Sequence, residues 1–301
     1  MRLEYSDYPA LFRAADEASL AAQRNYLRLT WGTLILLVTG AALAAVSSEF
    51  ASVASAMSAL AMTSAIVLAV SLLLTLYLKT SRLEQVWYGG RAVAESVKSM
   101  MWRYIVGADP YSVDLVPAAD ADKKFLSELG SIVKERKQLA FGFGGEFAEE
   151  PQISERMRAI RATNLDERKS MYVLERISDQ RRWYGSQAKL NRSAENKYFA
   201  LIAFSQLCAL VAAMALVEWP GSKIKLTGLF TSVAAAFIAW LQIKQHKELS
   251  QSYSVAELEL SFIQEQAQFV KNDRDLSNFV ADAENAISRE HTLWIARRDR
   301  S

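Results

Sequence analysis

Few residues in this 301-residue chain have the type and spacing that chemistry demands. Phe141, Gly142, Phe143, Gly144 and Gly145 have the composition of a phosphate loop. Such a loop needs backbone N–H groups opening a helix after a strand, usually with a lysine that reaches the phosphates. Here a helical pattern comes before the glycines, and Glu146, Glu149 and Glu150 follow with no lysine among them. The segment reads as a hinge. The pairs Glu149/Glu150 and Asp273/Asp275 have the acidity for proton transfer or metal binding, but their linker and turn contexts read as helix starts or solvated positions. His246, between Lys244 and Lys247, and His291 near the end read as ordinary exposed histidines in preference to pH switches. A lone Cys208 excludes an intramolecular disulfide and a cysteine-rich zinc site, and two histidines leave little for a metal centre or a Ser/His relay. A net charge of +2 supplies no basic field for nucleic acid. The expectation is a protein that is not an enzyme, with no catalytic residue, cofactor, metal or nucleic-acid partner.

The charges are distributed unevenly. From Leu29 to Leu78 there is no Lys or Arg, and Glu49 is the one acid. From Tyr198 to Ile243 the charges are Glu218, Lys223 and Lys225. A hydrocarbon core of about 30 Å needs roughly 20 apolar residues in a helix. Four spans meet that need, at about 29–46, 54–78, 198–217 and 226–243. The breaks within each pair are short enough to predict two helical hairpins. The 28 residues before Leu29 are too long and too acidic for a signal-peptide n-region. Arg24, Arg28, Lys79, Arg82, Lys189, Arg192, Lys197, Lys244 and Lys247 flank the spans on one side. By the positive-inside rule both termini and the middle segment are cytoplasmic and the chain is a multi-pass inner-membrane protein, although Lys223 and Lys225 oppose that orientation.

Inside the spans the polar side chains are mostly Ser and Thr, with Gln206 and Gln242. Ion-coupled transporters usually need intramembrane charges, and these spans have none. Ser58, Ser71, Thr75 and Gln206 are candidates to line a weakly polar pore in an oligomer. Small residues at four-residue spacing, such as Gly40/Ala44, Ala61/Ala65 and Gly228/Ser232, alternatively point to plain helix packing.

Five prolines and twelve glycines favour long helices. The elements form a repeat: an amphipathic helix, a pair of spans, then a long charged helix leaving the second span. Leu83, Trp87, Gly90, Ala94, Val97, Met101 and Tyr104 recur in step as Leu249, Tyr253, Ala256, Leu260, Ile263, Ala267 and Val270. This a/d-like, coiled-coil seam packs on the chain's own helices or on another subunit. A helix from Lys244 to Asn272 would extend about 43 Å. Between the units, Asp120 to Leu139 reads as a helix with Phe125, Leu126, Leu129, Ile132 and Val133 on one side, and Pro151 opens another running to about Ala162. The fold class is all-α membrane protein. Its units are residues 1–110 and 165–301, joined by a helical linker over 111–164.

Residues 175–198, ERISDQRRWYGSQAKLNRSAENKY, resemble the entry segment of the SLATT family through Asp179, Gln180, Trp183, Tyr184, Lys189 and Asn191. AENAISREHTLWIARR, residues 283–298, resembles that family's closing helix. YPALFRAADEASLAAQRNYL before the first span, and ESVKSMMWRYIVGADPY after the second with Trp102, Arg103, Asp109 and Pro110, are similar to a second branch. The resemblance implies two tandem copies of a bacterial two-transmembrane effector domain found beside nucleotide-generating and nucleotide-sensing conflict systems. It further implies an oligomer of this chain that compromises the membrane in antiviral defence. The partners expected are itself, membrane lipids, and a nucleotide-generating or sensing protein or its nucleotide signal. The alternative is a non-conducting scaffold or signalling adaptor that recruits a partner to its cytoplasmic helices.

Overall fold

The computed structural model describes residues 2–47, 54–135, 149–219 and 226–298, with backbone alone for residue 54 and residues 289–298. The glycine-rich segment and, between the paired spans, residues 48–53 and 220–225 lie outside the described residues. The described elements are helical: α1 (Ala10–Ser47), α2 (Ala54–Thr80), α3 (Leu83–Val106), α4 (Ala118–Glu135), α5 (Glu155–Arg161), α6 (Leu165–Tyr172), α7 (Asp179–Glu218), α8 (Leu226–Lys244), α9 (His246–Gln266) and α10 (Asp273–Arg298). A π-helical turn, Val173–Ser178, joins α6 to α7, and a 3-10 turn, Ala267–Phe269, extends α9. Four stretches, carried by α1, α2, α7 and α8, are long and apolar enough to cross a membrane.

The chain divides into two compact units. The first comprises residues 1–23, 84–188 and 251–301, and the second residues 24–83 and 189–250. The core of the first unit contains most of the repeated seam. Trp87, Ala94, Val97, Met101 and Tyr104 of α3 are buried, as are Ala256, Leu260 and Val270 of the second series, with Tyr253, Ile263 and Ala267 packed against them. Of the two occupants the sequence leaves open for this seam, the unit's own core is the one observed. Gly90 matters because a Cβ there would stand 3.0 Å from the Ala15 carbonyl and 3.1 Å from the Ser19 Cβ, so α1 and α3 approach at a point where no side chain fits easily.

The linker helix α4 departs from expectation. Phe125 and Leu129 are in the core, but Leu126 is 47% and Val133 39% exposed. At 3.6 residues per turn these two lie roughly 80–100° round the helix from Phe125, too far to share its buried face. After Pro151 the helix starts later than expected, at Glu155, because Ser154 accepts the Met157 N–H and caps it. The exit helices also differ from the unbroken rods predicted. Arg82 (φ 51°) separates α2 from α3 and Gln245 (φ 49°) separates α8 from α9, one left-handed residue interrupting each repeat.

The C-terminus of α3 is closed by a Schellman turn. Gly107 (φ 69°) donates to the Tyr104 carbonyl at 3.2 Å and Ala108 to that of Arg103 at 2.9 Å. Two arginines complete the cap: Arg161 Nη1 donates to the Tyr104 carbonyl at 2.8 Å and Arg168 Nη1 to that of Val106 at 2.6 Å. Carbonyls that a helix end leaves without partners are thereby satisfied in a buried place.

In the second unit the inward seam of α2 carries serine at its centre. Ser64 Oγ donates to the Gly40 carbonyl at 2.9 Å and Ser71 Oγ to that of Thr33 at 3.3 Å, both on α1. Leu68 fills the space above Gly40, where a Cβ would come within 2.6 Å of it. Trp31 of α1 meets Trp240 of α8 at 4.8 Å between ring centroids.

Candidate functional site

The most constrained polar group of the first unit is built on the π turn. The widened turn carries Arg176, which is 1% exposed, into the core. Its Nε and Nη2 donate to the two carboxylate oxygens of Glu284 at 3.0 and 2.8 Å, and Tyr172 Oη donates to the same carboxylate at 2.8 Å. Burial opposes the Arg176 charge, and Glu284 more than offsets it. The Tyr172 phenol is pushed well above its usual range by burial and by the Glu284 charge. Arg176 Nη1 has no partner among the described residues. A cavity of about 50 Å³ adjoins this group, lined by Arg91, Glu95, Arg176, Gln180, Tyr184 and Glu284 among others. That space holds a few waters, well short of a drug-sized ligand. Near it, burial and then the Arg176 guanidinium hold the Lys98 ammonium below its usual pKa. A larger hollow of about 410 Å³ lies over Ile160, Met171 and Leu174, with Glu167, Glu175 and Arg2 at its polar edge.

The motif residues fall into three places. Gln180 and Tyr184 line the small cavity, and Tyr184 is 2% exposed. Trp183 stacks edge-on with Tyr253 at 5.2 Å and faces the Arg91 guanidinium at 5.9 Å. Trp102 is fully buried against Tyr172, while Arg103 bonds at 3.4 Å to the Asp109 carbonyl and to Asn285. Asp179, at the start of α7, pairs with Arg182 at 3.3 Å on the surface. Lys189 is exposed. Asn191 belongs to the second unit, where its Oδ1 lies 2.8 Å from His246 Nδ1.

His246 is therefore not the exposed histidine expected. It is 8% exposed, its ring lies parallel to that of Tyr198 at 5.9 Å, and burial together with Lys244 lowers its pKa to about 4. The cause is the break at Gln245, which ends α8 and begins α9 at the histidine itself. The side chain of His291 lies outside the described residues. Asp273 pairs with the buried Arg168 at 2.7 Å, and Asp275 accepts the Lys271 N–H while Asn272 caps the Asp275 N–H, so both acids serve the start of α10. Glu150 pairs with Arg13. Among the described residues no group of three His, Cys, Asp or Glu side chains is placed to hold a metal.

Within the spans, Ser58, Thr75 and Gln206 are exposed and Ser71 is buried. Ser58 and Thr75 bond their own helix, through the Ser55 carbonyl at 3.4 Å and the Ser71 carbonyl at 3.0 Å. Sequence reasoning missed Arg161, Arg168, Arg176, Tyr172 and Glu284. A faint signal for the arginines is their recurrence at steps of seven and eight, which keeps them near one helical face.

Residues 9–169 match the family of SMODS and SLOG-associating 2TM effector domain 3, and residues 172–294 match SMODS and SLOG-associating 2TM effector domain 1. No curated protein and no solved structure matches the chain.

Proposed function

The chain belongs to the SLATT family of SMODS and SLOG-associating 2TM effector domains, in two tandem copies, and from that premise we propose that this membrane effector oligomerises and opens a leak in the bacterial inner membrane when its cytoplasmic helices are engaged. The observation that carries this reading is how little the spans bury within one chain. Their apolar windows are 11–22% buried, so lipid or further copies of the chain must cover the rest. Ser58, Thr75 and Gln206, being exposed, are among the polar groups available to face a path between copies. The trigger is a nucleotide-generating or sensing partner, or its nucleotide signal, acting on the cytoplasmic helices. Both termini and the middle segment face the cytoplasm, following the basic flanks of the spans.

The test is single-cell membrane potential after induction, with and without a nucleotide-producing partner. Replacing α7 residues 198–217 and α8 by polyleucine helices is the control. Depolarisation lost in the control supports the leak. Two glycines inserted after Lys244 should uncouple triggering while leaving insertion intact, and unchanged toxicity of that variant counts against transmission through α9. A second reading, a non-conducting scaffold or adaptor, is favoured by one observation: Ser64 and Ser71 spend their hydroxyls on α1 carbonyls, which leaves few polar groups for a water path. A scaffold keeps its activity when the spans are exchanged for unrelated apolar helices.

A further inference from the structure

The helix α9 has a second apolar face besides its buried seam. Val255, Leu258, Phe262 and Phe269 follow steps of three, four and seven, and are 58%, 57%, 61% and 68% exposed. Those steps keep Val255, Leu258 and Phe262 on one stripe, on the opposite side of α9 from Ala256 and Leu260, and Phe269 stands exposed in the 3-10 turn that follows. The fold does not require it. At the matching positions of the first repeat, where Leu83 corresponds to Leu249, the residues are Gly89, Ala92, Ser96 and Arg103. Three large apolar side chains exposed on α9, with Phe269 beyond its end, mark a surface that is covered in use.

The charges around the stripe say what covers it. Along its length, from Val255 to Phe269, every charged residue is acidic: Glu257, Glu259 and Glu265, of which Glu257 is turned to Gly185 of α7 while Glu259 and Glu265 flank the stripe. An anionic leaflet repels such a stripe. A second stripe of the same kind opposes it as well, since like charges across an interface cost several kcal/mol. The complement is an apolar strip edged by lysine, and α4 carries one. Leu126 and Val133 are exposed there, the residues that failed to enter the core. Between them a Cβ on Gly130 would meet nothing within 4 Å, so the strip has an open notch at its middle. Lys123 and Lys134 lie exposed along one edge, Lys123 beside Asp120 at 3.5 Å.

We propose that the α9 stripe of one copy docks antiparallel on the α4 strip of a second copy, with Phe262 seated at the Gly130 notch and Glu259 and Glu265 beside Lys134 and Lys123. Each copy has one surface of each kind, so the contact is heterologous and repeats head to tail, closing a ring where the rotation allows. This inference rests on the oligomeric reading above and specifies its interface.

Disulfide trapping in native membranes tests it, in the full chain carrying Cys208→Ser. Two differently tagged forms are co-expressed, one with Leu126→Cys and one with Phe262→Cys, and then oxidised. The expected product is a cross-link joining the two tags. It falls about tenfold when the second form also carries Glu259→Lys and Glu265→Lys, and returns when the first carries Lys123→Glu and Lys134→Glu. That restoration excludes misfolding as the cause of the loss. A product joining only Phe262→Cys copies overturns the head-to-tail contact, and so does an oligomer that never gives the mixed product. A leak without any mixed product overturns the interface and spares the effector reading. The mixed product in a protein that never depolarises the membrane supports the interface and removes the pore.

Discussion

Arg176 and Glu284 illustrate how a buried ion pair holds at the level of single residues. Each is 1% exposed, and the pair is bidentate with Tyr172 as a third donor. Removing one partner leaves the other charged and desolvated. Glu284→Gln should destabilise the first unit by about 3–5 kcal/mol, whereas Arg176→Met with Glu284→Leu should lose much less. Thermal melts of the purified variants check the difference. His246 makes the opposite kind of prediction. Its folded-state pKa of about 4 lies below the ordinary 6.5, because burial and then Lys244 oppose the charged ring. Between those values the unfolded chain binds the proton more readily. Stability contributed by the neutral ring is full above pH 6.5 and is lost as pH falls toward 4. A melting temperature followed over that window should drop in the native protein, and the drop should flatten in His246→Gln.

The elements show where regular helices stop and why. Two left-handed residues, Arg82 and Gln245, set the ends of α2 and α8. A non-glycine residue in that conformation costs roughly 1–2 kcal/mol. Glycine relieves this and brings back about 0.5–1 kcal/mol of chain entropy. Gln245→Gly should therefore stabilise the break by up to about 1 kcal/mol, while Gln245→Ala should not. A rise in melting temperature for the glycine variant alone is the expected outcome. Equal melting of both variants would mean that the break is held by other contacts. The recurrence of the break in both repeats ties it to the exit of each second span and not to local accident. At the far end of α3, Gly107 has no such latitude: a Cβ would come within 2.5 Å of Val113.

For the whole molecule, four helices are long and apolar enough to cross a membrane, and the basic residues around them are the basis of the orientation proposed above. Leu115 is 78% exposed in the segment between the two pairs of spans. With Cys208→Ser as background, Leu115→Cys should react with a membrane-impermeant maleimide only after the inner membrane is opened. Labelling of intact spheroplasts would reverse the orientation and place the motif residues outside the cell. An outside location would also remove any cytoplasmic trigger from the mechanism.

How much of this was legible beforehand depends on the range of the forces involved. The four spans follow from composition alone, because a run of uncharged apolar residues has one stable environment. The repeated seam is legible for a similar reason, since its heptad-like spacing makes one face of each helix apolar, and Trp87 through Tyr104 duly face a core. The family was readable from local motifs in both halves and is matched over residues 9–169 and 172–294. What needed tertiary structure was the choice between faces that the pattern leaves equal. Leu126 and Val133 are as apolar as Leu129, yet only packing decides which side of α4 is covered. The same holds for Ser71, whose hydroxyl turns to the Thr33 carbonyl, and for His246, which a single left-handed residue carries into a buried place. The buried arginines were hidden most completely. Charge ordinarily signals solvent, and only carbonyls and carboxylates brought from residues about 60 to 110 positions away make Arg161, Arg168 and Arg176 stable inside.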